Sequence, residues 1–150
     1  LPFLRAMKKA GAKGFDAYAH HPYYGAPRET PSTPPPPGIH GNAATAVTLG
    51  NLSLLVREVT RLYGNKRIWI TEYGYQTNPP DKIFGVSFAN QARYLTQAYG
   101  IAKRHPRIDM FLWFLLRDER LGVDEGWQSG LLTASGAKKP AFAAFQKLRG

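Results

Sequence analysis

The feature that most constrains this fold is the run Met110-Phe-Leu-Trp-Phe-Leu-Leu116, which contains no polar side chain. A strand buried on both faces reads this way, and such strands belong to parallel sheets covered by helices. The neighbouring segments agree. Phe15 to His20 reads as a strand closed by His21-Pro22-Tyr23-Tyr24-Gly25, and Arg67 to Gly74 reads as another. Between them lie stripes with helical spacing. Phe3, Leu4 and Met7 precede Gly11 and Gly14. Leu52, Leu55, Val56, Val59, Leu62 and Tyr63 are stopped by Gly64-Asn65. Phe88, Ala92, Leu95, Tyr99 and Ala102 follow Ser87, a helix cap, and end near His105-Pro106. A last helix opens at Pro140 and carries Phe142, Phe145 and Leu148. The order α-β-α-β-α-β-α predicts one α/β domain over residues 1–150, with a parallel sheet and right-handed crossovers.

Within that frame Glu72 needs explaining. It closes the apolar run Ile68-Trp-Ile70 and shares the parity of Ile68 and Ile70, so on a regular strand it would lie on their face. A carboxylate there is costly unless it reaches the open end of the strand, and the ends of parallel strands are where α/β enzymes keep their chemistry. The plainer reading is a salt bridge with an arginine such as Arg117.

Several classes of function fall away. The chain has no cysteine, so no disulfide or thiolate metal site forms. No apolar stretch nears the roughly 20 residues that cross a bilayer, and no membrane partner is expected. No dinucleotide or phosphate-loop fingerprint follows any strand. The formal charge of +10 raises nucleic acid as a partner. However, the basic residues are scattered in pairs such as Lys8-Lys9, Lys103-Arg104 and Lys138-Lys139, near helix ends where solvent and the helix dipole account for them. No nucleic acid is expected. Ala26 to Gly41 is a long proline-dense loop, including Pro34-Pro-Pro-Pro37. The chain opens Leu1-Pro-Phe-Leu without a methionine and reads as cut from something longer, or processed.

Four motifs in series now line up with a known family. They are Asp16-Ala-Tyr-Ala-His-His-Pro-Tyr23, Trp69-Ile-Thr-Glu-Tyr-Gly74, Phe111-Leu-Trp-Phe-Leu-Leu-Arg-Asp118, and a tail with Gly130-Leu-Leu132 and Lys139-Pro-Ala-Phe142. The chain resembles the C-terminal half of the TIM-barrel retaining glycoside hydrolases, the cellulase and β-xylosidase relatives. The resemblance implies a partial, half TIM barrel whose three strands correspond to barrel strands 6–8. It implies cleavage of β-linked glycosides, with Glu72 as the nucleophile. His21 and Tyr23 would bind substrate hydroxyls or hold Glu72, with ordinary packing of a His-Pro turn as the alternative, and Trp113 would bind sugar unless it is simply a core aromatic of its apolar strand. Trp127, on the loop beyond that strand and next to Gly126, reads as an exposed ring that stacks on sugar. His20 has the opposite parity to His21 and should face the helix layer, so the two do not make a metal site. No metal or cofactor is implied.

One departure is as informative. Family members carry the acid/base on a glutamate after asparagine in the fourth strand, and no Asn-Glu pair exists here. The donor would come from Asp118, Glu119, Asp124, Glu125 or another subunit, although surface pairing with Arg117 and Arg120 is the plainer role for Asp118 and Glu119. Three strands cannot close a barrel. A homodimer is therefore expected, with the open side of one half-barrel covering the other and residues 26–41 capping an edge. The competing expectation is a non-catalytic carbohydrate-binding half-barrel or an inactive barrel fragment.

Overall fold

The computed structural model describes residues 1–37, 45–120 and 126–148. Helix α1 (Pro2–Lys9) leads to strand β1 (Ala17–His20). A 3₁₀ turn (Leu49–Asn51) precedes α2 (Ser53–Tyr63) and β2 (Arg67–Tyr73). Then come α3 (Phe88–Arg104), β3 (Ile108–Trp113) and α4 (Pro140–Gln146). The punctuation is the expected one. Prolines with preset φ open α1 and α4. The Ser87 hydroxyl accepts the Asn90 amide at 3.2 Å to cap α3. Gly64, at φ +78, ends α2 in a conformation that other residues rarely adopt.

The three strands form one parallel sheet in the order β1-β2-β3. With its flanking helices this open sheet is a partial TIM barrel. Leu55 and Val59 of α2, Ile68, Ile70 and Tyr73 of β2, and Ala98 of α3 are sealed between sheet and helices. The opposite sheet face is bare among the described residues. Ala19 pairs with Trp69 in register, and Trp69 with Met110. Trp69 is 39% exposed and Leu112 is 47% exposed. The Met110–Leu116 run is therefore not buried on both sides in this chain, because the face a closed barrel would fill stays open.

The parity argument for Glu72 fails at one point. Between Ile70 and Tyr73, β2 carries one more residue than β3 does between Phe111 and Trp113. This irregularity reverses the alternation: Ile68, Ile70, Tyr73 and Tyr75 are all in the core despite their mixed parity. Glu72 is thereby turned off the core face, the usual effect of a bulge beside a functional site. Gly74 lets the two strands converge just beyond it, since a Cβ there would lie 2.4 Å from the Phe114 carbonyl oxygen.

The described part of the proline-dense loop, residues 26–37, packs inward. The Tyr75 hydroxyl donates to the Glu29 carbonyl at 2.8 Å, and Gln97 of α3 donates to the Ser32 hydroxyl at 2.8 Å. These contacts carry the loop over the β2–α3 side of the molecule. Residues 38–41 of the expected edge cap lie outside the described residues.

Candidate functional site

The bulge and the two strand ends assemble a cluster around Glu72. The Tyr23 hydroxyl, three residues past the end of β1 at His20, donates to Glu72 Oε2 at 3.2 Å. His21 Nδ1 lies 3.4 Å from the same oxygen, while His21 Nε2 lies 2.9 Å from the Thr71 hydroxyl. A carboxylate only accepts, so the tautomer that suits both contacts carries its proton on Nδ1 and takes the Thr71 hydrogen at Nε2. Burial, and then the facing Glu72 carboxylate, push the Tyr23 hydroxyl well above the usual phenol range. Tyr23 therefore stays a donor. Both donors meet on Oε2, and Oε1 has no hydrogen-bond partner among the described residues. The Glu72 side chain is 34% exposed. One oxygen is held and the other is free at the mouth of the central strand.

Trp127 stands beside this cluster. Its ring lies 5.5 Å from Tyr23 and meets Phe114 edge-on at 5.8 Å, and it is 42% exposed. Its backbone is fixed on both sides by one residue. The Trp127 amide donates to Glu119 Oε2 at 2.7 Å, and the Glu119 amide donates to the Trp127 carbonyl at 3.0 Å. Glu119 is thus engaged in a loop clasp, and no contact joins it to Glu72. The two other expected donors, Asp124 and Glu125, lie outside the described residues.

Asp118 corrects an expectation more sharply. It does not pair at the surface with Arg117 or Arg120. Its side chain is sealed against Lys139, with Nζ at 2.7 Å, and the two side chains are only 3% and 0% exposed. Lys139 also donates to the Thr77 hydroxyl at 2.9 Å and to the Gln128 carbonyl at 3.0 Å, and Asp118 accepts the Gly130 amide at 2.7 Å. Burial pushes Asp118 up and Lys139 down, and their attraction opposes both shifts. The segment between Asp118 and Lys139 folds back on the strand end, and a buried charge there is tolerable only with a charge opposite. Arg117 lies beside Gly136 rather than beside Glu72.

Trp113 is placed apart from the cluster. Its indole donates to the Ser129 carbonyl at 2.9 Å and packs against Leu95 and Leu148, around a cavity of about 200 Å³. Trp113 and Phe111 share the helix-facing side of β3, and Leu112 takes the open side. The helix layer thus claims the ring expected at a sugar site. His20 also turns away from the cluster: its Nε2 lies 3.1 Å from the Val47 carbonyl, and burial lowers its pKa. Among the described residues no group of three or more His, Cys, Asp or Glu could hold a metal ion, and no helix is long and apolar enough to cross a membrane.

The sequence did not single out the groove next to this cluster. It measures about 950 Å³ and is lined by Tyr23, Tyr24, Gln76, Ile83, Phe84 and Trp127, among others. Its lip is an exposed pair, Ile83 and Phe84, whose amides are both tied to Asp81 Oδ1 at 2.8 and 2.9 Å. Two adjacent large apolar residues after Pro79-Pro80-Asp81 were the available signal. They sit in a turn that has no periodicity to flag them.

Fold and site together define a partial (β/α) barrel with a half-exposed carboxylate at the end of its central strand. The family described as "Family of unknown function (DUF5722)" matches residues 3–149, and the chain belongs to it. No curated protein sequence matches the chain. Among solved structures it is similar to a family 39 glycoside hydrolase from the gut symbiont Bacteroides cellulosilyticus WH2, at 24% identity and a TM-score of 0.70, over 95% of this chain and 29% of that one. It is similar to a GH128 endo-β-1,3-glucanase from Amycolatopsis mediterranei, at 20% identity and a TM-score of 0.56, over 97% of this chain and 50% of that one. A β-glucuronidase from Ruminococcus gnavus shares 20% identity at a TM-score of 0.52, over 87% of this chain and 22% of that one. The chain spans half or less of each of these proteins, and at such identities the likeness is one of fold.

Proposed function

We propose that this chain is the nucleophile-bearing part of a retaining β-glycoside hydrolase, equivalent to the last three strands of the barrel. The observation that carries the reading is the asymmetry at Glu72, whose Oε2 is held by Tyr23 and His21 while Oε1 is open. In the proposed reaction Oε1 attacks the anomeric carbon as the bond to the leaving oxygen breaks, giving a glycosyl-enzyme that water then hydrolyses. Tyr23 and His21 fix the carboxylate's orientation and stabilise its charge. Trp127 offers an exposed aromatic face for the sugar's CH groups. Trp113 is not carried into the site, because its ring packs against the helices.

A retaining mechanism places a proton donor about 5–5.5 Å from the nucleophile. Asp118 and Glu119 are both engaged elsewhere. The proposal therefore includes a second copy of the chain on the open sheet face, where Trp69 and Leu112 are exposed, presenting an acid to its partner's Glu72. Light scattering at micromolar concentration tests this part, and a stable soluble monomer refutes the dimer. The second reading is a non-catalytic carbohydrate-binding module, favoured by those same engaged acids.

One experiment separates the two. An aryl β-glycoside with an activated leaving group barely needs an acid, so a working nucleophile gives a burst of released phenol. Binding without a burst supports the non-catalytic module.

A further inference from the structure

The groove next to the Glu72 cluster plays no part in the proposed reaction. Its volume of about 950 Å³ is that of a ligand cleft. Glu72 does not line it, but Tyr23 touches both: it lines the groove and donates to Glu72 at 3.2 Å. A ligand in the groove therefore lies beside the reacting position and not at it. Three side chains of the wall are each divided in the same way, one polar atom fixing the loops and the other left over. Gln76 Oε1 accepts the Gln128 amide at 3.1 Å, and Gln128 Nε2 donates to the Glu119 and Gly126 carbonyls at 3.1 and 2.7 Å. Asp81 Oδ1 accepts the amides of Ile83 and Phe84. Gln76 Nε2, Gln128 Oε1 and Asp81 Oδ2 have no partner among the described residues, and neither do Lys82 Nζ and the Trp127 indole N–H.

These donors and acceptors accompany two rings of the wall, Trp127 at 42% exposure and Phe84 at 43%. Tyr23 and Tyr24 are already stacked on Tyr73 and Tyr75. A sugar ring has the matching mixture: CH groups that lie against aromatic rings, and hydroxyls that both donate and accept. A plain aromatic ligand would cover the same polar atoms and leave them without partners. The wall carries one charge of each sign, Lys82 and Asp81, so it does not favour an acidic sugar. Because the loops already hold one end of Gln76, Gln128 and Asp81, little order is lost when the other end meets a ligand.

We infer that the groove is a second sugar site, which binds one unit of a neutral oligosaccharide whose neighbouring unit lies at Glu72. Trp127 and Phe84 supply the apolar contact, and Lys82, Gln76 and Gln128 meet the hydroxyls. This rests on the hydrolase reading above and narrows its substrates to chains of two or more sugars. Lys82 and Phe84 then determine affinity for the chain without touching the bond that Glu72 attacks.

The test is calorimetric titration of Glu72→Gln with cellotetraose, laminaritetraose and xylotetraose, so that binding is read apart from turnover. Saturable binding of at least one is expected. Adding Lys82→Ala or Phe84→Ala weakens it about tenfold, the scale of one lost hydrogen bond to a charged group or one lost aromatic contact. Adding Phe3→Ala, an equally exposed ring on α1, leaves it unchanged. Lys82 and Phe84 are both exposed, so melting temperatures stay where they were. No saturable binding of any of the three, or binding indifferent to both groove substitutions, overturns the inference. Tighter binding of a hyaluronan tetrasaccharide than of all three overturns the assignment to neutral sugars. Wild type is assayed for cleavage of the same tetrasaccharides in parallel. Groove-dependent binding without cleavage supports the second sugar site and counts against the hydrolase reading alone.

Discussion

Two carboxylates sit at or beyond the ends of neighbouring strands of this sheet, and they are held in opposite ways. Asp118, beyond β3, is sealed: Lys139 and the Gly130 amide meet it, and Lys139 in turn meets Thr77 and Gln128. Glu72, near the end of β2, has two donors on one oxygen and is a third exposed. A saturated buried pair gains nothing from a new partner, while an open oxygen in a partly dry setting can bond to one. The comparison separates structure from chemistry. The sealed pair ties the loops at Thr77 and Gln128 to the strand end, one residue from Trp127, and the open carboxylate lies beside Tyr23, whose ring meets Trp127.

Substitutions at the two sites should therefore fail differently. Glu72→Gln keeps shape and removes charge, so turnover of an activated aryl β-glycoside should fall by several orders of magnitude, with melting within a few degrees of wild type. Lys139→Met leaves Asp118 buried with only the Gly130 amide to meet it. It should cost about 3–5 kcal/mol of stability in urea unfolding at neutral pH, and a shift under about 1 kcal/mol would mean that water reaches the pair. Tyr23→Phe removes one charge-assisted hydrogen bond from Glu72, worth roughly 1.5–3 kcal/mol, and should slow turnover about tenfold or more without unfolding the chain. Trp127→Ala should weaken binding of oligosaccharides or aryl glycosides while melting moves only a few degrees. A drop of roughly ten degrees would mark the ring as core.

A third acid sharpens the contrast at the small end. Glu58 of α2 is held down to about 2 by hydrogen bonds from Arg61 and Arg5, which tie α1 to α2. Its folded value lies below the unfolded one near 4.3. Its contribution is therefore complete above about pH 5 and is lost as pH falls toward 2. Glu58→Gln should flatten the acid limb of a stability–pH curve slightly, and an unchanged limb would mean that the pair contributes nothing.

The element order was legible in the sequence because three apolar runs, four amphipathic stripes and their caps all agree. Ser87, Gly64, Pro2 and Pro140 punctuate as their backbone chemistry requires. Glu72 was legible from the run it interrupts, and Tyr23 and His21 from the turn closing β1. What the sequence hid depends on register and on long-range closure. Alternation along β2 pointed Glu72 into the core, and only the extra residue between Ile70 and Tyr73 turns it out. Trp113 read as a candidate sugar ligand because strand parity does not say which face the helices cover. Asp118 and Lys139 lie 21 positions apart, and nothing local announces that the intervening loop brings them together. The Ile83–Phe84 lip has no period at all.

The central claim is that Glu72 forms a covalent bond to the sugar. Incubation with activated 2-deoxy-2-fluoro β-glycosides of glucose, xylose and glucuronic acid, followed by mass spectrometry of the digested protein, tests it directly. The fluorine slows hydrolysis of a glycosyl-enzyme, so a competent nucleophile accumulates as its adduct. The account predicts one added sugar on the peptide containing Glu72 with at least one of the three, and none in Glu72→Gln. An adduct on a different residue, or no adduct with any of them, would contradict it.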